Sequence, residues 1–114
     1  MLKKVRNQSS KDYNKLLTRV KTAGSIRVIV ELNMPFKPDS QLSVEEANDQ
    51  QSRISRMQDQ LCAELSKYNV KGIKKFKYTP YMALMVDSTA LRVLISNPLV
   101  LSLEEDIPVP PTKQ

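Results

Sequence analysis

The segment Ile26-Arg27-Val28-Ile29-Val30-Glu31-Leu32 decides the fold of this chain. It is rich in β-branched residues, which favour extended strands. Successive side chains of a strand point to opposite faces, and here one face is purely aliphatic while the other is mixed. The aliphatic set is Ile26, Val28, Val30 and Leu32, and the mixed set is Arg27, Ile29 and Glu31. The pattern predicts a first strand with one face in the core.

A long amphipathic helix is predicted after this strand. Pro35, Pro38 and Asp39 indicate a loop, and Ser43 followed by Glu46 has the spacing of a capping box. We expect the helix to run from this cap to about Tyr68. Its apolar stripe contains Ala47, Ile54, Leu61, Leu65 and Tyr68, and the side chains expected to face water include Glu45, Asp49, Gln50, Arg53, Arg56 and Asp59.

A hairpin and a second helix follow. Residues 70–78 and 81–87 are extended segments, and the Thr79-Pro80 link between them is short enough for antiparallel pairing. Ser88 is the expected cap of a shorter helix. Asn97-Pro98 ends that helix, because proline cannot continue it.

With a last strand at residues 99–103, the order β-α-β-β-α-β predicts an α+β protein of the ferredoxin-like plan. Right-handed crossovers place both helices on one face of a four-stranded antiparallel sheet and leave the other face bare. The chain is expected to divide into a basic N-terminal tail and short helix (1–24), the α+β domain (25–106) and an extended C-terminal tail (107–114). Within the first part, residues 1–10 are the expected tail, and Gly24 terminates a helix over 11–22.

The composition argues against several classes of protein. The 114 residues include no histidine and one cysteine, Cys62, so a histidine-based catalytic set, an intrachain disulfide and a cysteine-pair metal site are all ruled out. We therefore expect no enzymatic activity, metal or cofactor. The formal net charge is +6, and residues 1–24 hold seven lysines and arginines against one acid. No apolar run approaches the length of a membrane span, and no membrane partner is expected.

Several short segments occur in a particular order along the strands. They are Arg27-Val28-Ile29-Val30, Lys75-Phe76-Lys77-Tyr78, Ala83-Leu84, Asn97-Pro98-Leu99-Val100 and Leu103-Glu104-Glu105-Asp106, followed by a tail with three prolines. In this order and spacing they resemble the prodomain, or propeptide inhibitor, family of subtilisin-like serine proteases. The resemblance covers roughly residues 26–111.

The resemblance implies a folding chaperone and tight-binding inhibitor whose partner is a subtilisin-like serine protease. The bare sheet face would dock on two parallel helices of the enzyme, and Glu104 and Asp106 would cap the N-termini of those helices. The tail would lie in the active-site cleft like a cleaved product. The protease-binding residues expected are Glu104, Asp106, Ile107, Pro108, Val109, Pro110, Pro111 and Thr112, together with Phe76, Tyr78 and Tyr81. The cleavage point is left open between Thr112 and Gln114.

Two further expectations concern location and alternatives. The chain lacks the apolar stretch of an export signal, so either the protein is cytoplasmic or its signal sequence is not part of these 114 residues. The resemblance implies the second, a secreted or periplasmic protein that is exported as part of a precursor. No nucleic-acid partner is expected, and an RNA-binding module of the same fold is the alternative. Its aromatic residues would be Phe76, Tyr78 and Tyr81, and its phosphate contacts would come from Lys71, Lys74, Lys75 and Lys77. A ligand-sensing domain is a third possibility, although only Gly24 and Gly72 could contribute to a glycine-rich loop.

Overall fold

A computed structural model describes residues 2–107, with side chains described from Tyr13 onward. The helices are α1 (Leu2–Ala23), α2 (Val44–Glu64) and α3 (Ser88–Ser96), and a short 3-10 helix covers Asp39–Gln41. The strands are β1 (Ile26–Leu32), β2 (Val70–Lys75), β3 (Tyr81–Val86) and β4 (Val100–Glu105).

The four strands form one antiparallel sheet in the order β2-β3-β1-β4. This order, with α2 between β1 and β2 and α3 between β3 and β4, is the predicted ferredoxin-like plan, and the prediction of the fold is confirmed. The strand β1 has the predicted bounds, and its side chains alternate between buried and half-buried along its whole length. It lies between β3 and β4, so it is paired on both sides.

The core lies on one face of the sheet. Val28 and Val30 of β1 are fully buried there, together with Leu84 of β3. All three helices contribute to the same cluster: Leu16 and Val20 from α1, Leu61 from α2, and Ala90, Leu91 and Leu94 from α3. The helices therefore cover the same side of the sheet.

The N-terminal helix differs from its prediction in extent. It begins at Leu2 rather than at residue 11, so residues 2–10 are helical where a tail was expected. It ends as predicted at Gly24, whose φ of 86° belongs to the left-handed region and whose N–H donates to Val20 O at 2.8 Å. Leu16 is 5% exposed and Val20 1%, so the helix shares the core of the α+β unit.

The long helix α2 begins at the predicted capping box. Glu46 N–H donates to Ser43 Oγ, and Ser43 N–H donates to Glu46 Oε1 at 2.9 Å. The helix ends at Glu64, four residues before the predicted end, and the chain turns through residues 65–68. The prediction that Gln50 faces water is wrong. Gln50 is buried, because its amide exchanges two hydrogen bonds with the backbone of Lys37.

The remaining corrections concern boundaries. The strand β2 ends at Lys75, so residues 76–78 lie in the hairpin loop instead of the strand. Asp87 caps α3 in place of Ser88, since its Oδ1 accepts from Ala90 N–H at 2.9 Å. The last strand runs over Val100–Glu105, two residues further than expected. It therefore contains both Glu104 and Glu105.

Candidate functional site

The sheet face opposite the helices forms the candidate site, and we call it the open face. Strand register defines its residues, because directly opposite residues of antiparallel strands point to the same side. Three cross-strand rows cover it: Lys71, Met85 and Arg27; Lys74, Ala83, Ile29 and Glu104; and Tyr81, Glu31 and Ser102. Among the described residues, none of the three helices contributes to this side, as the prediction of a bare face requires.

The centre of the open face is apolar. Ile29 and Met85 are half-buried, and Ala83 is only 2% exposed. A partly exposed apolar centre framed by polar residues fits a surface that binds a protein partner.

The three consecutive acids after Leu103 have three different environments. Glu104 pairs with Ile29 and is exposed on the open face. Glu105 pairs with Val28 and points to the helix side, where it contacts α1. Asp106 follows the strand, and its N–H donates to Arg27 O at 2.8 Å. Because successive side chains of the strand point to opposite faces, Glu105 points away from the predicted capping residues, Glu104 and Asp106.

The side chain of Arg27 contacts residues at both edges of the sheet, Asp106 after β4 and Gly72 of β2. Its Nε lies 3.3 Å from Asp106 Oδ2, and its Nη1 donates to Gly72 O at 2.9 Å. Gly72 lies in a β-bulge of β2 with a φ of 59°, a conformation that favours glycine. The guanidinium therefore fixes the position of Asp106, whereas Glu104 has no ion-pair partner among the side chains of residues 13–107.

Glu105 is held by Arg19 of α1. Two hydrogen bonds join the groups, from Arg19 Nε to Oε1 at 3.1 Å and from Arg19 Nη2 to Oε2 at 2.9 Å. These bonds lower the pKa of Glu105 below its ordinary value, and the nearby positive charge of Arg19 lowers it further. This pair could not be predicted from the sequence, because the two residues are 86 positions apart.

The predicted cleft-binding tail begins where the sheet ends. Ile107 is 66% exposed, and a recess beside it is lined by Lys15 and Leu16 of α1 and by Leu103 of β4. The other predicted tail residues, Pro108, Val109, Pro110, Pro111 and Thr112, lie outside the residues that the structure describes.

The three predicted aromatic residues lie apart from the centre of the open face. Phe76 and Tyr78 are in the hairpin loop after β2, which is an edge strand, and only Tyr81 lies on the open face. Lys74 Nζ is 5.3 Å from the centroid of the Phe76 ring, and Lys77 Nζ is 5.4 Å from that of Tyr78. The RNA-binding alternative therefore has one aromatic ring on the sheet surface itself.

Gln58 is a positioning residue that sequence reasoning missed. It is 3% exposed in the middle of α2, and its Nε2 donates to Phe76 O at 2.8 Å and to Tyr81 O at 3.0 Å. These bonds fix both ends of the hairpin loop against the helix. The one available signal was a glutamine four positions after Ile54, on the buried stripe of the helix.

Cys62 is half-buried and packs against the core, and burial raises the pKa of its thiol. Within the described part of the chain, no three acidic or cysteine side chains are grouped so that they could hold a metal ion. None of the helices described there combines the length and the apolar character that a membrane crossing requires.

Comparison with known proteins gives this chain no relative. It matches no protein-family model, and it matches no curated protein and no solved structure at a significant level.

Proposed function

We propose that this chain is a prodomain of a subtilisin-like serine protease, acting as its folding chaperone and tight-binding inhibitor. The observation that carries the proposal is the open face. Its apolar centre of Ile29, Ala83 and Met85 has none of the helices described within residues 2–107 over it, and Glu104 and Asp106 flank it at the β4 edge. The C-terminal tail leaves the domain at that same edge.

The acids of this edge suit the ends of helices on a partner. A helix N-terminus presents unpaired N–H groups and about half a positive charge, and a carboxylate there contributes about 0.3–2 kcal/mol. Glu104 is exposed on the open face and Asp106 is held by Arg27, so both carboxylates lie at the β4 edge. Two neighbouring parallel helices would fit such a pair of acids.

The tail supplies the inhibitory contact. An extended segment binds a protease cleft by adding a strand to its edges, through main-chain hydrogen bonds and side chains in alternate pockets. Ile107 is already exposed as the first residue beyond Asp106. Pro108, Pro110 and Pro111 restrict the unbound tail and so lower the entropy lost on binding.

The same surface accounts for chaperone activity. A sheet that binds two helices of the enzyme side by side lowers the free energy of any state in which those helices are already packed. It therefore accelerates folding if the pairing is formed at the transition state. Inhibition of the finished enzyme and assistance of its folding then use one set of contacts.

Titration of subtilisin-like catalytic domains from the same genome with residues 1–114 tests the proposal. We expect inhibition at micromolar concentration or below, and loss of inhibition when residues 107–114 are deleted, with the fold retained. If none of these enzymes is inhibited, the proposal is wrong.

Two double variants test the capping acids. Changing Glu104 and Asp106 together to alanine should weaken inhibition at least severalfold, because two charge-assisted contacts are lost. The control is the double alanine variant of Glu45 and Asp49, which removes the same charge from the exposed side of α2. Equal inhibition by both double variants would dismiss the role of the acids.

A further inference from the structure

The charges of the open face are sorted across the sheet. One cross-strand row runs from Lys74 on β2 through Ala83 and Ile29 to Glu104 on β4. Lys74 and Glu104, the two ends of this row, both lie on edge strands, because the sheet order is β2-β3-β1-β4. This row is therefore basic at the β2 edge, apolar in the middle and acidic at the β4 edge.

The next row repeats the order. It runs from Lys71 through Met85 and Arg27, and Arg27 contacts Asp106 beyond β4. Both rows thus begin with a lysine at the β2 edge and an apolar side chain next to it. The first row ends at Glu104, and in the second the carboxylate of Asp106, beyond β4, is paired with Arg27.

The lysines at the β2 edge are not neutralised within the described part of the chain. Lys71 and Lys74 are exposed, and neither has an ion-pair partner among the side chains of residues 13–107. Lys75, which points to the helix side, is paired with Asp59 at 2.8 Å. The charge of Lys75 is therefore compensated, whereas Lys71 and Lys74 give the open face two positive charges without an ion-pair partner among residues 13–107.

From this arrangement we infer that the partner surface is acidic where it faces β2, and that Lys71 and Lys74 bind its carboxylates. The inference rests on the proposed function and specifies the partner: a subtilisin-like catalytic domain with acidic side chains beside its docking helices. Opposite charges at the two edges also fix the orientation, because a complex rotated by half a turn would bring Glu104 and Asp106 onto the acidic side.

Lysines also protect exposed edge strands from pairing with other chains, a role that needs charged side chains but no partner. Charge reversal separates the two roles. The double variant Lys71→Glu, Lys74→Glu keeps a charged edge, whereas it replaces attraction toward an acidic partner by repulsion. The double variant Lys71→Gln, Lys74→Gln removes the attraction alone.

The matched control reverses two cations on the helix side. Lys67 and Arg92 are exposed and have no ion-pair partner within residues 13–107, so Lys67→Glu, Arg92→Glu changes the net charge by the same amount. Thermal unfolding of every variant verifies that the fold is retained.

The experiment measures the inhibition constant of each variant against the catalytic domain that wild type inhibits, at low and high salt. We expect the glutamate variant to be weakened about tenfold or more at low salt, the glutamine variant by less, and the control by less than about twofold; high salt should reduce these differences. Inhibition by the glutamate variant equal to wild type would overturn this inference and leave the proposed function standing. Absence of inhibition by wild type would overturn both.

Discussion

Arg19 and Glu105 connect the first helix to the last strand through two hydrogen bonds of 3.1 and 2.9 Å. Glu105 precedes Asp106 directly, and Asp106 is in turn held by the backbone and side chain of Arg27. The helix α1 therefore contributes to fixing the point at which the tail leaves the domain.

The pH dependence of stability should report this pair. Arg19 lowers the pKa of Glu105 in the folded state, mainly through the hydrogen bonds, so the pair stabilises the fold above the unfolded pKa of Glu105. That contribution is lost as the pH falls through the lowered folded pKa. We expect Glu105→Gln to be less stable than wild type at about pH 7, and the difference to shrink as the pH falls below about 4.5, the ordinary pKa of a glutamate.

Denaturant unfolding of both proteins across this range gives the free energies. Glu104→Gln is the control, since Glu104 has no ion-pair partner among residues 13–107 and should show a smaller pH-dependent difference. A difference for Glu105→Gln that grows on acidification would contradict the assignment.

The helix α1 should be indispensable for stability. Leu16 is 5% exposed in the shared core, and truncation of a buried leucine to alanine costs about 2–5 kcal/mol. Leu16→Ala should therefore lower the free energy of unfolding by that amount, whereas Lys15→Ala, one exposed position earlier, should change it by less than about 0.5 kcal/mol. Equal effects of the two substitutions would mean that α1 does not pack in the core.

Gln58 should fix the hairpin loop. Its side-chain amide donates hydrogen bonds to the carbonyl groups of Phe76 and Tyr81. A buried acceptor left without its donor lowers the free energy of unfolding by about 1–3 kcal/mol. We expect Gln58→Ala to be destabilised by this amount and to show faster amide exchange in residues 76–81. Gln60→Ala, on the exposed side of the same helix, should leave both quantities near wild type. Unaltered exchange in the loop of the Gln58 variant would refute the role.

The start of α3 offers a direct comparison of two neighbours. Asp87 accepts the N–H of Ala90, and loss of such a cap costs about 0.5–2 kcal/mol. Asp87→Ala should lose that stability in denaturant unfolding, and Ser88→Ala should lose little. A larger loss for Ser88→Ala than for Asp87→Ala would mean that Ser88 is the cap, as the sequence predicts.

Much of this fold was predictable because its strands carry clear alternation. Ile26–Leu32 has buried and half-buried positions in strict turn, and the register of the sheet then assigns the open face. The ends of elements were harder to place. Residues 2–10 of α1 lack an apolar period, and Phe76 continues the apparent pattern of β2 although it lies in the loop.

The site was predictable only in part, since its polar contacts join distant positions. Glu104 and Asp106 follow from the sequence, but the Arg27 contact with Asp106 and Gly72 depends on the order of the strands. Gln50 looks like a water-facing helix residue, and Gln58 is a polar residue on the apolar stripe of the same helix. Both are buried because backbone groups of other segments bond to them. Such partners become visible only once the chain is folded.

Met85→Glu tests the central claim, that the open face is the docking surface, most directly. Position 85 lies between Lys71 and Arg27 in one cross-strand row, so a carboxylate there should be tolerated by the isolated fold. In the complex it would bury a charge in the apolar centre of the interface. The measurement is the inhibition constant of Met85→Glu against the protease that wild type inhibits. We expect a rise of about tenfold or more with unfolding unchanged, whereas a folded variant that inhibits as tightly as wild type would contradict the account.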